Sequence, residues 1–385
     1  MKPQIDVFIR RVLRAVSYCF RIFPIKNNRI VFYGSSFEGY KCNPKYLYLY
    51  ISEKYGDKYE YIWEFWNPKK QIMPKNVRVV KHYSFIWFYY MATSKVIICN
   101  SGLGGLTPKR KKQLIIETWH GGGAYKVVGY GQFDANCKSK WVRDKLVNDD
   151  LSIYISSSKI FTKYHIIGGY NFKGEIFKCG MPRNDIFFYP ERVAEAKRKI
   201  QEHYGISGRI ILYAPTFRGA AMHYRTSETV IDANRVLESY KKRYGEEATL
   251  LVRAHFGTEF SNKFGDNVLN VTDYPDMQEL LCAADILIND YSSSMWDYSL
   301  LGRPCFFYVP DLDYYENSDR GFFTPIETWP GIICHDMDEL CHEIEHLDEA
   351  RCAEIARKHQ EYAGTYENGK ACEAVCKRIV EFCNS

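Results

Sequence analysis

The chain has 385 residues, more than one hydrophobic core usually supports, so two domains of about 150 to 190 residues are expected. Hydrophobic residues make up 46% and charged residues 25%, which excludes a disordered chain, and no apolar run reaches the eighteen or so residues of a membrane span. The net charge of +6 is concentrated in residues 1–26, where Lys2, Arg10, Arg11, Arg14, Arg21 and Lys26 against Asp6 give +5; the remaining +1 excludes a nucleic-acid-binding body.

From the N-terminus, "IDVFIRRVLRAVSYCFRIF" predicts a helix with Ile5, Phe8, Val12, Val16, Cys19 and Phe23 on one stripe and Arg10, Arg14 and Arg21 opposite. Such an amphipathic helix suits an anionic membrane surface, apolar side down and arginines toward the headgroups. The plainer alternative is a terminal helix packed on its own body. Short β-type runs follow at 29–34, 59–65, 77–81, 95–100, 113–119 and 151–158, several of them unbroken apolar stretches that predict strands buried on both faces of a parallel sheet. "YSFIWFYYMAT" (83–93) reads as a buried helix between two of these strands. A second series begins at 209–215 and continues at 249–255, 285–290 and 304–309.

Two successive β/α series predict an α/β protein of two Rossmann-like, doubly wound domains. The boundaries expected are a membrane-associating helix over 1–26, a first Rossmann-like domain over 27–185 and a second, with C-terminal helices, over 186–385. Thirteen scattered cysteines without a C-x-x-C pair predict reduced thiols, as in a cytosol, and argue against a zinc site. Most of the 31 Tyr and 23 Phe are expected in the cores.

Four motifs follow strand-like runs, where open α/β sheets place their ligands. The first is "WHGGG" at 119–123. A His-Gly-Gly-Gly run also serves as a hydrolase oxyanion hole, but that use needs a G-x-S-x-G elbow, which this chain lacks. His120 is instead a candidate base beside Gly121, Gly122 and Gly123, which make room for a bulky anionic group. Arg253 and His255, two residues apart at a strand end, point the same way and suit a diphosphate, the guanidinium clamping oxygens and the imidazole donating to them. Arg218 in "APTFRG" has the same use. Ser292 and Ser293 in "NDYSSS" precede a helix expected from about 293, where hydroxyls and free N–H groups suit phosphate; a simple serine N-cap is the plainer alternative.

Taken together, "WHGGGAYK", "GMPRND", "YAPTFR", "RAH", "VTDYPDMQELLCAADILINDYSSSMWDYSLLGRPCFFYVPDLDYY" and "RGFF" resemble the CDP-glycerol glycerophosphotransferase family of wall teichoic acid synthesis. The resemblance runs from about Arg29 to Leu340. It implies a GT-B-like fold and peripheral attachment to the cytoplasmic face of the membrane. The activity it implies is transfer of a polyol phosphate from CDP-glycerol or CDP-ribitol to a lipid-linked glycan or polyol phosphate acceptor, with release of CMP. It places catalytic histidines at His120 and His255, and donor contacts at Arg218, Arg253, Asp290, Ser292 and Ser293. The acceptor-side loop is Gly121, Gly122, Gly123 and Lys126. A magnesium ion would help neutralise the diphosphate, though no carboxylate cluster marks a site for one, and no other cofactor is expected. The chain departs from the family at Gly122 and Gly123, where Thr-Pro is usual, and at Phe256, where proline is usual. A sugar-nucleotide glycosyltransferase on the same fold is the rival enzyme, and a silent membrane-docked scaffold the rival of another class.

Overall fold

The unbroken apolar runs pair as parallel strands. The structure, a computed structural model, describes residues 3–34, 39–129, 148–216, 231–253, 267–319 and 321–385. The first sheet contains β1 (Lys26–Tyr33), β2 (Glu60–Phe65), β3 (Val77–Lys81), β4 (Ser94–Cys99), β5 (Leu114–Glu117), β6 (Ile153–Ser156) and β7 (Glu175–Lys178), in the order β3-β2-β1-β4-β5-β6-β7. Every residue of β4, β5 and β6 is buried, as expected for strands covered on both faces. The second sheet contains β8 (Arg209–Tyr213), β9 (Ala248–Val252), β10 (Val268–Asn270), β11 (Ile286–Asn289), β12 (Cys305–Tyr308) and β13 (Ile332–Cys334), in the order β10-β9-β8-β11-β12-β13. Strand order reverses beside β1 and β4 in one sheet and beside β8 and β11 in the other. Doubly wound folds open a ligand crevice at such points.

Strands β7, β10 and β13 have no counterpart among the sequence expectations. They are three or four residues long and lie at sheet edges, too short for an apolar run or an alternation to stand out. After helices α1 (Pro3–Cys19) and α2 (Cys42–Tyr55), the helix expected within 83–93 forms at α3 (Phe85–Thr93), capped by Ser84 Oγ, which accepts the Trp87 N–H at 3.2 Å. It is not buried throughout, since Phe85 is 80% exposed.

The chain divides into two compact units, residues 1–122, 128–185 and 365–385 in the first and 123–127 and 186–364 in the second. The C-terminal helix Ala371–Asn384 thus belongs to the first unit, whereas the sequence assigned all of 186–385 to the second domain. The Asp185 carboxylate explains the return: it accepts the N–H groups of Ala371 at 2.9 Å and Cys372 at 2.7 Å, fastening the start of that helix. The twelve described cysteines are all free thiols.

Helix α1 (Pro3–Cys19) is attached to the first unit by its arginines. Arg10 donates to the Gly104 carbonyl at 2.8 Å and Arg14 to the Gly105 carbonyl at 3.0 Å. Arg21, just beyond, donates to the carbonyls of Pro108 and Lys109. Arg14 also forks onto Asp150 at 2.7 and 2.9 Å. Gly104 permits this approach, for its φ is +66° and a Cβ there would lie 2.7 Å from Arg10 Nη1. The apolar stripe faces outward instead: Ile5, Phe8, Ile9 and Val12 are exposed, Phe8 to 68%. The expected direction of the arginines, toward headgroups, is therefore corrected for Arg10, Arg14 and Arg21.

Because the Asp150 side chain is fully buried, removing the guanidinium takes away the two charge-assisted hydrogen bonds that Arg14 gives it. Arg14→Ala should cost about 2 to 4 kcal/mol in a urea titration and expose the amides of α1 to hydrogen exchange. A midpoint within error of the parent would contradict the attachment.

Candidate active site

Strands β4 and β5 run side by side and end at Cys99 and Glu117, and the chain then turns sharply at Trp119. Trp119 has φ +52°, a left-handed conformation that costs an L-residue about 1 to 2 kcal/mol. Hydrogen bonds to almost every polar backbone group around it offset that cost. The Thr118 N–H donates to the Cys99 carbonyl at 2.7 Å, and the Trp119 N–H to Glu117 Oε1 at 2.7 Å. Asn43 Nδ2 donates to the carbonyls of Thr118 and Trp119, each at 2.9 Å. Arg183 Nη1 donates to the carbonyl of His120 at 2.8 Å.

This corner carries His120. Its Nδ1 lies 2.9 Å from the Asn100 carbonyl oxygen. A carbonyl only accepts, so Nδ1 carries the proton and, in the neutral ring, Nε2 keeps its lone pair, the arrangement a general base needs. The ring is exposed and stacks on Trp119 with centroids 4.3 Å apart. Trp119 in turn meets His165 at 4.5 Å and Tyr170 at 5.3 Å, the former carried on the π-helix Phe161–Gly169 and the latter directly after it. Burial holds the His165 imidazole well below its ordinary range, so it stays neutral beside the Tyr154 hydroxyl. The Asn100 side-chain amide is fully buried and both its polar atoms lack a partner, an anomaly of the kind that concentrates at functional sites. After His120, Gly121 and Gly122 are buried, and the Gly122 carbonyl accepts the Ser157 hydroxyl.

Glu117 sits beneath the corner at the end of an otherwise apolar strand. Three donors converge on it: the Trp119 N–H, the Gly102 N–H at 2.6 Å and the Cys99 thiol at 3.2 Å. Burial nevertheless pushes its carboxyl up to about 7, outweighing the pull of those donors.

Gly123 and Lys126 belong to the second unit. A Cβ at Gly123 would lie 2.0 Å from the Tyr125 ring, so this position admits only glycine while Tyr125 is packed as it is. Tyr125 is buried against Trp329 and its hydroxyl donates to His359 Nε2 at 2.8 Å. Lys126 pairs with Phe322 in an antiparallel bridge, and the Phe323 N–H donates to the Tyr125 carbonyl at 2.7 Å. The "RGFF" motif thus has a structural partner in the "AYK" segment.

The other expected donor-binding groups gather at the C-terminal edge of the second sheet. Arg253 follows β9, its N–H bonded to the Tyr213 carbonyl of β8 at 2.8 Å. Burial pulls its guanidinium down, against the opposing charges of Asp276 and Tyr204, and among the described residues buried Nη1 has no hydrogen-bond partner. Asp290 follows β11 and accepts the Thr216 N–H and hydroxyl and the Tyr291 N–H. It braces the "APT" turn to the serine loop, a use that suits a carboxylate better than touching phosphate does. Ser293 precedes the helix Ser294–Ser299 without making a side-chain cap, while Ser292 Oγ pairs with Ser294 Oγ at 3.1 Å. His255 and Arg218 lie outside the described residues.

Asn43, Glu117 and Arg183 complete the site without having been singled out from sequence. A carboxylate ending the buried run "LIIE" was the available signal for Glu117, and "PRND" for Arg183. Asn43, in the polar stretch "KCNPK" that opens the helix Cys42–Tyr55, offered none.

Linkage gives the Glu117 pKa a testable sign. A carboxyl whose folded pKa is raised binds more protons when folded, so its contribution is present below the ordinary carboxyl range and is lost as pH rises through about 7. Glu117→Gln abolishes that loss, and between about pH 5 and pH 8 the variant should gain on the parent by roughly 2 to 3 kcal/mol in paired thermal melts. Parallel stability curves would contradict the burial of an ionisable group here.

The family model described as CDP-Glycerol:Poly(glycerophosphate) glycerophosphotransferase matches residues 15–381. The chain is 31% identical over 363 residues to a teichoic acid poly(glycerol phosphate) polymerase of Bacillus spizizenii, covering 89% of this chain and 91% of that one. It is 26% identical over 377 residues to a teichoic acid glycerol-phosphate transferase of Staphylococcus aureus, covering 94% and 95%. Among solved structures it is similar to the wall teichoic acid polymerase TagF, with a TM-score of 0.81 and 25% identity over 100% of this chain and 96% of that one. Both sheets and the His120 corner fall within the matched span, and the chain belongs to the CDP-glycerol:poly(glycerophosphate) glycerophosphotransferase family, on a GT-B-like α/β fold.

Proposed function

We propose that the protein transfers glycerol phosphate, or a related polyol phosphate, from a CDP-linked donor to a hydroxyl of a teichoic-acid-type acceptor and releases CMP. Its relatives carry names for this chemistry with both glycerol phosphate and ribitol phosphate. The observation that carries the mechanism is the tautomer of His120, fixed by the Asn100 carbonyl so that Nε2 takes the proton. The acceptor oxygen attacks the donor's β-phosphorus as Nε2 removes its proton, and the bond from that phosphorus to the bridging oxygen breaks. CMP departs with the electron pair. General-base assistance of this kind contributes about 10² to 10⁴ in rate.

Charge moving onto the departing CMP calls for fixed donors, since phosphoryl transfer depends mainly on positioning and electrostatics. Arg253, whose buried Nη1 has no hydrogen-bond partner among the described residues, and the hydroxyls of Ser292 and Ser293 are proposed to hold the diphosphate. His255 and Arg218 keep the roles implied by resemblance. Among the described residues no three His, Cys, Asp or Glu side chains gather where a metal ion would be held, and no step is routed through magnesium.

The exposed stripe of α1 is proposed to seat the enzyme on a membrane carrying a lipid-linked acceptor. No helix among the described residues is long and apolar enough to cross a bilayer. Phe8 and Val12 lie a turn apart on the outward face, and Phe85 and Ile86 of α3 are also exposed. Inserting a side chain such as Phe8 into the interface is worth about 1 to 2 kcal/mol. Since Arg10, Arg14 and Arg21 are engaged with the body, apolar insertion supplies most of the binding.

His120→Ala should lower CMP release from CDP-glycerol by at least about 10²-fold while leaving the melting temperature near that of the parent. Turnover close to normal would remove His120 from the mechanism. Arg253→Ala should weaken CDP binding by about tenfold or more in calorimetry, and unchanged affinity would return Arg253 to a structural role. Phe8→Asp with Val12→Asp should abolish co-sedimentation with phosphatidylglycerol vesicles while CMP release with a soluble acceptor persists. Undiminished sedimentation would place the membrane contact elsewhere.

A further inference from the structure

The Asn43 side chain joins three chain segments. Its Nδ2 donates to the carbonyls of Thr118 and Trp119, and its Oδ1 accepts the Arg183 N–H at 3.0 Å. Arg183 then reaches the same turn from the far side, Nη1 donating to the His120 carbonyl at 2.8 Å and lying 3.2 Å from Cys42 Sγ. Asn43 is fully buried, and Cys42 before it has φ +62°, so two left-handed residues are held in place by one amide and one guanidinium.

We propose that Asn43 is a positioning residue for the transfer reaction, clamping the left-handed Trp119 turn so that the His120 ring stays bonded through Nδ1 to the Asn100 carbonyl and keeps the lone pair on Nε2. The inference rests on the reading of His120 as the base. The geometry asks for an amide in particular. Two adjacent carbonyls need a donor with two hydrogens and the Arg183 N–H needs an acceptor, and asparagine supplies both from one short stem. Alanine leaves those carbonyls and that N–H without this partner, so the turn relaxes from its unfavourable φ and carries the imidazole off the Asn100 oxygen. Aspartate keeps the volume and the acceptor for Arg183 but turns lone pairs toward both carbonyls.

A base displaced by an ångström loses rate, not donor affinity. Asn43→Ala and the isosteric Asn43→Asp, assayed beside the parent and His120→Ala, should lower kcat for CMP release by about 10- to 100-fold with the KM for CDP-glycerol within about twofold. Asn43→Asp keeps the test available if the alanine variant does not fold, and melting curves give the folded fraction for each. A folded variant with the parent's kcat overturns the inference, as does a kcat that falls only with the folded fraction or a change confined to KM. If His120→Ala is inactive and Asn43→Asp is normal, this inference alone falls. If His120→Ala turns over normally, the base falls first and the positioning role with it.

Discussion

One left-handed residue sets the geometry of the first unit's functional edge. Trp119 departs from the ordinary backbone at the point where β5 gives way to the glycine run, and its neighbours satisfy the polar groups that such a turn exposes. The Glu117 carboxylate, the Asn43 amide and the Arg183 guanidinium each bind backbone there, leaving the His120 side chain to be fixed by the Asn100 carbonyl. Strain of about 1 to 2 kcal/mol is thereby held locally, and its product is an imidazole with a defined tautomer. The glycines that follow have a separate reason in packing: Gly123 gives way to the ring of Tyr125.

The second unit solves the complementary problem, presenting positive charge and hydroxyls at a strand edge, with a different device. Asp290 holds the "APT" turn and the serine loop together through Thr216 and Tyr291, so a carboxylate shapes the edge beside which Arg253 lies. The aromatic wall behind it, in which Tyr291 stacks on Tyr315 at 3.8 Å and tilts against Phe322 at 5.6 Å, keeps that loop from shifting. Phe322 pairs with Lys126 and tilts against Tyr291, so the segments around these three residues pack together.

The parts of this architecture with a strong local signal were legible in the sequence. Runs such as "KVIIC" and "RIILY" are buried on both faces and could be little other than central strands. The three edge strands were not legible, because segments of three or four residues are too short to show a period. Helix α1 was legible as a helix with two faces, but periodicity does not say which face meets the body. The loop at 104–109 decided that, offering carbonyls that only the arginine side could bind. His120, Arg253 and the serines were singled out because strand ends are where such sheets place chemistry, and the structure sets each of them just beyond a strand. Asn43 was not, since its function lies in contacts with residues 75 and 140 positions away.

The state of the His120 ring is the point on which this account most depends. Long-range proton–nitrogen correlation spectra of protein labelled with ¹⁵N-histidine, assigned by comparison with His120→Gln, report which ring nitrogen carries the proton. The account predicts a protonated Nδ1 and a bare Nε2 in the neutral ring, as the 2.9 Å contact with the Asn100 carbonyl requires. A neutral ring protonated at Nε2 would contradict it and leave the acceptor hydroxyl without a base at this corner.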